Sequence, residues 1–388
     1  MCGRTPHQQA PGASSAWLAR HWGAGLRPRV LSLIALGAAF AASCARGAPP
    51  ARTLAPASLR AAAAAKGLFY GCAVHRGLVS DTAFQRAVVT DCGMLVPENA
   101  LKWRELSAAP GRYDFGLADA IAEFATAHGL ALRGHALVFH SSMPAWFAAT
   151  ADSANAERLL VDHITTVAGR YRGRMHSWDV VNEAIDVRSP RPDRLRVQPW
   201  LALLGPGYIE TAFRAAHAAD PNALLVYNEA EVDHDGAQQD TTRRATLALL
   251  DRLLATGTPV HALGIQMHLD DSSRFTALPA FLAAVKARGL AVIVTEMDVR
   301  ESNAHTDPAA IDSAVAAAYR RGLDVVLGDP GVVRGVLTWG LSDRYSWRTV
   351  RPRPDGRWRR PLPLDAELRR KAAWRAIVDA LAAAPAVP

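Results

Sequence analysis

Four cysteines in 388 residues are too few for a disulfide-built scaffold, and none stands in a pair with the spacing of a zinc site. The chain also lacks an apolar run of the roughly 20 residues that a membrane-spanning helix needs. It has no glycine-rich phosphate loop, no serine nucleophile elbow and no helix-turn-helix, zinc-finger or aromatic RNA-binding signature. Structural zinc modules, P-loop enzymes, serine hydrolases of the elbow type and the common nucleic-acid readers are thereby set aside. A metal centre and an organic cofactor are not expected.

What remains is a globular composition, half hydrophobic and 21% charged, with a net charge of +8. The basic excess is mostly arginine scattered through helical stretches, so it does not by itself imply nucleic acid. One dense cluster, Arg348, Arg351, Arg353, Arg357, Arg359 and Arg360 around Trp347 and Trp358, reads as a solvated loop.

The first 65 residues read differently from the rest. Arg20, Arg27 and Arg29 precede the apolar stretch from Val30 to Ala42, which has signal-peptide length and is followed by small residues. Residues 1–45 are therefore expected to be an export signal and 46–65 an Ala- and Pro-rich linker grading into a first helix, with the folded domain at 66–388. A secreted or periplasmic protein follows, attached to a membrane only if Cys44 is lipidated. Cys72 and Cys92 could pair as a disulfide or remain two buried thiols.

From residue 66 a unit repeats: a short apolar strand, a polar tip, then an amphipathic helix. The strands are Phe69–Val74, Met94–Pro97, Ala131–Leu137, Ser177–Val181, Leu224–Tyr227, Gly264–Met267, Ala291–Thr295 and Gly335–Thr338. Helical stretches such as 118–128, 156–170, 208–219, 241–255, 278–288 and 311–327 lie between them, with 365–383 closing the chain. Eight alternations predict an α/β fold with a single (β/α)8 TIM barrel and no second domain.

In such barrels the chemistry sits at the C-terminal ends of the strands. Those ends carry His75; Glu98, Asn99 and Lys102; His135 and His140; Asn182 and Glu183; Asn228 and Glu229; Gln266 and His268; Glu296 and Asp298; Trp339 and Asp343. Taken singly, a glutamate there more often caps a helix or pairs with a cation, and a histidine or tryptophan packs in the core. The recurrence of carboxylates, amides and indoles at successive tips points instead to glycosidic bond cleavage. That reaction needs one carboxylic acid to protonate the leaving oxygen and a second carboxylate to attack or to activate water. Asp298, Gln266 and His268 are placed to hold Glu296 ionised, and Asn182 has the chemistry to bond a sugar hydroxyl.

These residues also carry a family resemblance. Pro97 to Trp103, Arg133 to His140, Trp178 to Ala184, Gly264 to His268, Thr295 to Asp298 and Thr338 to Gly340 resemble glycoside hydrolase family 10, the retaining endo-1,4-β-xylanases, over residues 66–380. The resemblance implies that Glu183 is the acid/base and Glu296 the nucleophile. It implies that Glu98, Asn99, Lys102, His135 and Asn182 hold sugar on the non-reducing side, that Gln266, His268, Trp339 and Trp347 line the cleft, and that Asp298, Phe139, His140 and Tyr227 support it. Xylan or a xylo-oligosaccharide would be the substrate of a monomeric enzyme without a nucleic-acid partner. Phe139 stands where the family usually has tryptophan, Cys72 where threonine is common and Glu229 where aspartate is frequent. Phe139 keeps a related β-glucan hydrolase open as an alternative, and a non-catalytic glycan-binding protein is a second one.

Overall fold

Each of the eight apolar runs forms a strand of one parallel sheet that closes on itself. The structure, a computed structural model, describes residues 57–350 and 352–387. Its strands are β1 (Phe69–Val74), β2 (Met94–Pro97), β3 (Ala131–Gly134), β4 (Val138–Phe139), β5 (Ser177–Asn182), β6 (Leu224–Glu229), β7 (Ala262–Ile265), β8 (His268–Asp270), β9 (Ala291–Arg300) and β10 (Val333–Thr338). The ring runs β1-β2-β3-β5-β6-β7-β9-β10, and β10 pairs with β1 to close it. Short β4 and β8 extend the ring beside β5 and β9.

Closure explains the composition of the strands. With helices outside and side chains filling the inside, β5 and β6 are buried along their whole length, as is β9 except at Arg300. The helices contribute one apolar stripe each: Leu160, Ile164 and Val167 on Ala156–Arg170, and Ile209, Phe213 and Ala216 on Tyr208–Ala219. Glycine is required where β3 meets β5, because a Cβ on Gly134 would stand 2.0 Å from the ring of Trp178.

Several boundaries differ from the sequence reading. The expected third strand breaks after Gly134, and pairing with β5 resumes at Val138; between them His135 turns onto Asp179, a side-chain bond that apolar periodicity does not register. The expected sixth strand begins at Ala262 and stops at Ile265, before Met267, whose φ is 60°. The closing helix is Ala372–Ala383 rather than 365–383, because Asp365 takes the amides of Glu367 and Arg369 into a turn.

The linker assigned to 46–65 ends too late. Ser58 caps a helix over Leu59–Ala64, whose Leu59, Ala62 and Ala63 are buried and whose first amide reaches Asp91 at 3.0 Å. The export signal, Cys44, residues 46–56 of the linker and Arg351 lie outside the described residues. Cys72 and Cys92 are free, buried thiols in contact with each other, and burial followed by that contact pushes the Cys92 thiol up.

Arg357 and Trp358 of the arginine cluster are exposed, as a solvated loop implies, but four of its arginines are paired. Arg348 pairs with Asp298 at 2.7 Å, Arg353 with Glu301 at 3.2 Å, Arg359 with the same Glu301 at 3.5 Å and Arg360 with Asp312 at 2.7 Å. Arg353 and Glu301 are fully buried, so these charges fasten the loop to the end of β9 and to the helix Pro308–Val326. Among the described residues, no helix is long and apolar enough to cross a membrane.

Candidate active site

Strand register brings the polar tips together. Asn182 pairs with Asn228 across β5 and β6, and Phe139 pairs with Asn182 across β4 and β5. Glu183 is the first residue beyond β5, half-buried, with φ at 55°. Glu296 lies within β9 and is 4% exposed.

The two carboxyls have different surroundings. Glu296 accepts from Asn228 Nδ2 at 2.6 Å on Oε1 and meets His268 Nε2 at 3.2 Å on Oε2, with His135 Nδ1 at 3.9 Å from Oε1. Burial works against its ionisation, but His135, His268 and Lys102 outweigh burial and hold the carboxyl below its ordinary range. Glu183 accepts from neutral amides, Gln266 Nε2 at 3.0 Å and Asn182 Nδ2 at 3.3 Å, both on Oε1. Asn228 joins the two halves, since the same Nδ2 that reaches Glu296 also reaches Asn182 Oδ1 at 2.7 Å, while its Oδ1 accepts from Thr295.

Behind Glu296 stands a second layer of charge. His268 Nδ1 meets Asp298 Oδ1 at 2.8 Å, and Asp298 also accepts from Trp347 Nε1 at 2.7 Å and Arg348 Nε at 2.9 Å. Burial lowers His268, but Asp298 and Glu296 raise it to about 10, which makes it an imidazolium at neutral pH. Burial raises Asp298, but His268 and Arg348 bring it down to about 2. On the other side, His135 Nδ1 bonds Asp179 Oδ2 at 2.9 Å, and Asp179 is held by the fully buried Arg133.

The glycone residues expected from the sequence converge as well. Lys102 Nζ donates to Asn99 at 2.9 Å, Asn99 to Glu98 at 3.2 Å, and the ammonium lies 5.8 Å from the ring centres of both Phe139 and Trp339. Burial raises the Glu98 carboxyl, partly offset by Lys102. Glu98, Asn99, Lys102, Trp339 and Trp347 share a cavity of about 470 Å³, and Trp347 remains 42% exposed at its edge. A second cavity of about 330 Å³ begins at Ile185, two residues past Glu183. Hydrogen-bonding groups flanked by flat aromatic faces suit a ligand with many hydroxyls and apolar ring faces.

His140 and Tyr227 stand further back. His140 is half-buried, held down to about 4 by burial and Arg196, and Tyr227 is fully buried with its hydroxyl on Glu229. The sequence names Asn228 only as a strand tip and Arg348 only as part of a solvated cluster, and it gives Arg133, Asp179 and Arg196 no role in the site. Arg133 and Asp179 did leave a signal, because charged residues inside apolar strands must find partners. Arg196 and Arg348 left none, since they reach the site from loops. Among the described residues, no cluster of three or more His, Cys, Asp or Glu side chains is arranged to hold a metal ion.

The titrations give the fold a pH dependence. Folded His268 keeps its proton from about 6.5 to about 10, and Glu229, raised by burial, keeps its own up to about 8. Over this window the folded chain binds more protons than the unfolded one, so stability falls as pH rises. Below it, buried His163, held near 3, and His140 act in the opposite sense. The unfolding midpoint is therefore expected to be highest near pH 6.5 and to drop by several degrees by pH 9; a flat or rising midpoint across that interval contradicts these assignments.

Comparison with known proteins places this arrangement. The sequence model of Glycosyl hydrolase family 10 matches residues 58–380. A β-1,4-xylanase of Dictyoglomus thermophilum is 35% identical over 304 residues, covering 73% of this chain and 80% of that protein. Endo-1,4-beta-xylanase A of Thermoanaerobacterium saccharolyticum is 32% identical over 305 residues, 75% of this chain, but the chain spans only 25% of that longer protein. The crystal structure of native xylanase 10B from Thermotoga maritima superposes with a TM-score of 0.75 at 29% identity, covering 84% of this chain and 98% of that one. Xylanase 10B from Thermotoga petrophila, solved with xylobiose, superposes equally well at 29% identity.

Proposed function

Because the chain belongs to glycosyl hydrolase family 10, we propose that it cleaves internal β-1,4-xylosidic bonds of xylan with retention of anomeric configuration. The observation that carries this reading is the contrast between the two carboxyls: Glu296 is buried among an imidazolium, a lysine and an amide donor, whereas Glu183 is half-buried against neutral amides.

Each group then has one task. Glu183 gives its proton to the glycosidic oxygen while the ionised Glu296 attacks the anomeric carbon; the C–O bond to the aglycone breaks and a glycosyl ester forms on Glu296. Glu183, now a carboxylate, takes a proton from water, whose oxygen displaces Glu296 and restores both groups. Asp298 keeps the His268 charge compensated when Glu296 loses its own in the ester. Asn182 and the Glu98, Asn99 and Lys102 cluster orient the glycone, with Trp339 and Trp347 as ring platforms. Every group comes from one barrel, which supports a monomer. Export, with membrane attachment only through Cys44, is part of the same reading and rests on the stretch from Arg20 to Cys44.

Initial rates of reducing-sugar release on beechwood xylan and on carboxymethyl-cellulose test the substrate. Xylan is expected to be cleaved faster by about two orders of magnitude, since uniform loss of positioning contacts costs about that much. Equal rates, or faster cleavage of the glucan, would falsify the xylanase reading and return Phe139 to the centre of the specificity question.

A further inference from the structure

Glu229 ends β6 fully shielded from solvent at 1% exposure, yet no step of the hydrolysis uses it. Its carboxyl faces the segment that carries Glu183, and that segment is unusual. Glu183 occupies the left-handed backbone region at φ 55°, which a non-glycine residue keeps only where its surroundings impose it.

Here the amides of Glu183 and Ile185 and all three carbonyls from Glu183 to Ile185 have partners. On the amide side, Glu183 N–H donates to Asn228 O at 2.9 Å and Ile185 N–H to Glu229 Oε2 at 3.1 Å. The Tyr227 hydroxyl is bonded in turn to the same Oε2, and Ala230 N–H donates to Oε1 at 3.0 Å. On the carbonyl side Arg196 serves all three residues: Nε reaches Glu183 O at 2.9 Å, its own N–H reaches Ala184 O at 2.7 Å, and Nη2 reaches Ile185 O at 2.8 Å.

We propose that Glu229 and Arg196 are positioning residues that clamp the acid/base segment from its two sides and fix the direction from which Glu183 delivers its proton. This rests on Glu183 being the acid/base. Glu229 does so without competing charge: burial, offset by Tyr227 and reinforced by Glu183, holds it at about 8, so it is neutral through the neutral range. Glu229 and Arg196 also line the cavity of about 330 Å³ that begins past Glu183.

Positioning of a general acid is read by its dependence on the leaving group. For the full chain, kcat/KM is measured on aryl β-xylobiosides with phenol, which needs protonation, and with 2,4-dinitrophenol, which does not. Glu229→Ala is expected to lose about 10- to 100-fold on the phenyl substrate and less than about 3-fold on the dinitrophenyl one. Glu229→Gln, whose amide oxygen still accepts from Ile185 N–H and Tyr227 while its NH2 loses the bond from Ala230 N–H, recovers part of the loss. Equal losses on both substrates, or none on either, overturn the clamp. If Glu229→Ala does not fold, Arg196→Ala carries the same expectation, because it deletes two of the three carbonyl bonds. Glu183→Ala run in parallel separates the two levels: should it show no dependence on the leaving group, the acid/base assignment fails and the clamp falls with it.

Discussion

Replacing Glu296 with alanine is expected to lower kcat by about five orders of magnitude on xylan and on dinitrophenyl β-xylobioside alike. Both substrates must form the ester on this carboxylate, so a better leaving group offers no escape. The loss is chemical rather than structural, because the neighbours of Glu296 keep other partners. His268 retains Asp298 at 2.8 Å, and Asn228 retains Asn182 at 2.7 Å and Thr295 at 2.7 Å. The variant should therefore fold and bind xylo-oligosaccharides while turning none over. Activity on xylan within tenfold of the native rate, allowing for the roughly 10²–10⁴-fold that acid catalysis alone supplies, would remove Glu296 from the mechanism.

The second large effect has a different signature. Glu183→Ala is expected to lose about 10³- to 10⁴-fold on xylan, whose sugar leaving group requires protonation. On the dinitrophenyl substrate the glycosylation step survives, the ester on Glu296 accumulates, and a burst of phenol precedes slow turnover. Azide, which needs no general base, should then accelerate turnover and yield a β-xylosyl azide. A loss of the same size on both substrates, with no burst, would assign Glu183 to structure. The two variants together separate nucleophile from acid/base, a distinction that in the sequence rests more on family resemblance than on spacing.

How far the site was legible in the chain depends on what kind of force places each residue. The barrel strands announce themselves because burial on both faces demands unbroken apolar runs such as Leu224 to Tyr227, and their tips announce the polar groups. Asn182, Glu183, Gln266, His268 and Glu296 were found this way, and the hydrogen bonds among them follow from parallel register. What periodicity cannot show is a strand interrupted for the sake of a side chain, as between Gly134 and Val138, where His135 reaches Asp179. Nor can it show a charge recruited from a distant loop. Arg348 was read as part of a solvated cluster, yet it bonds Asp298 directly behind the Glu296–His268 pair. The linker grades into a first helix as expected, but the start of that helix at Leu59 is not legible, because an alanine-rich segment looks the same whether or not a core lies beneath it.

The measurement that bears most directly on the mechanism is covalent trapping of the native enzyme. A 2,4-dinitrophenyl 2-deoxy-2-fluoro-β-xylobioside slows the second displacement more than the first, so the ester accumulates and intact mass spectrometry counts it. One fluoroxylobiosyl group per chain is expected, and peptide mapping should place it on Glu296. Attachment to any other residue, or the absence of an adduct together with release of the α-anomer as first product, would contradict a double displacement through Glu296.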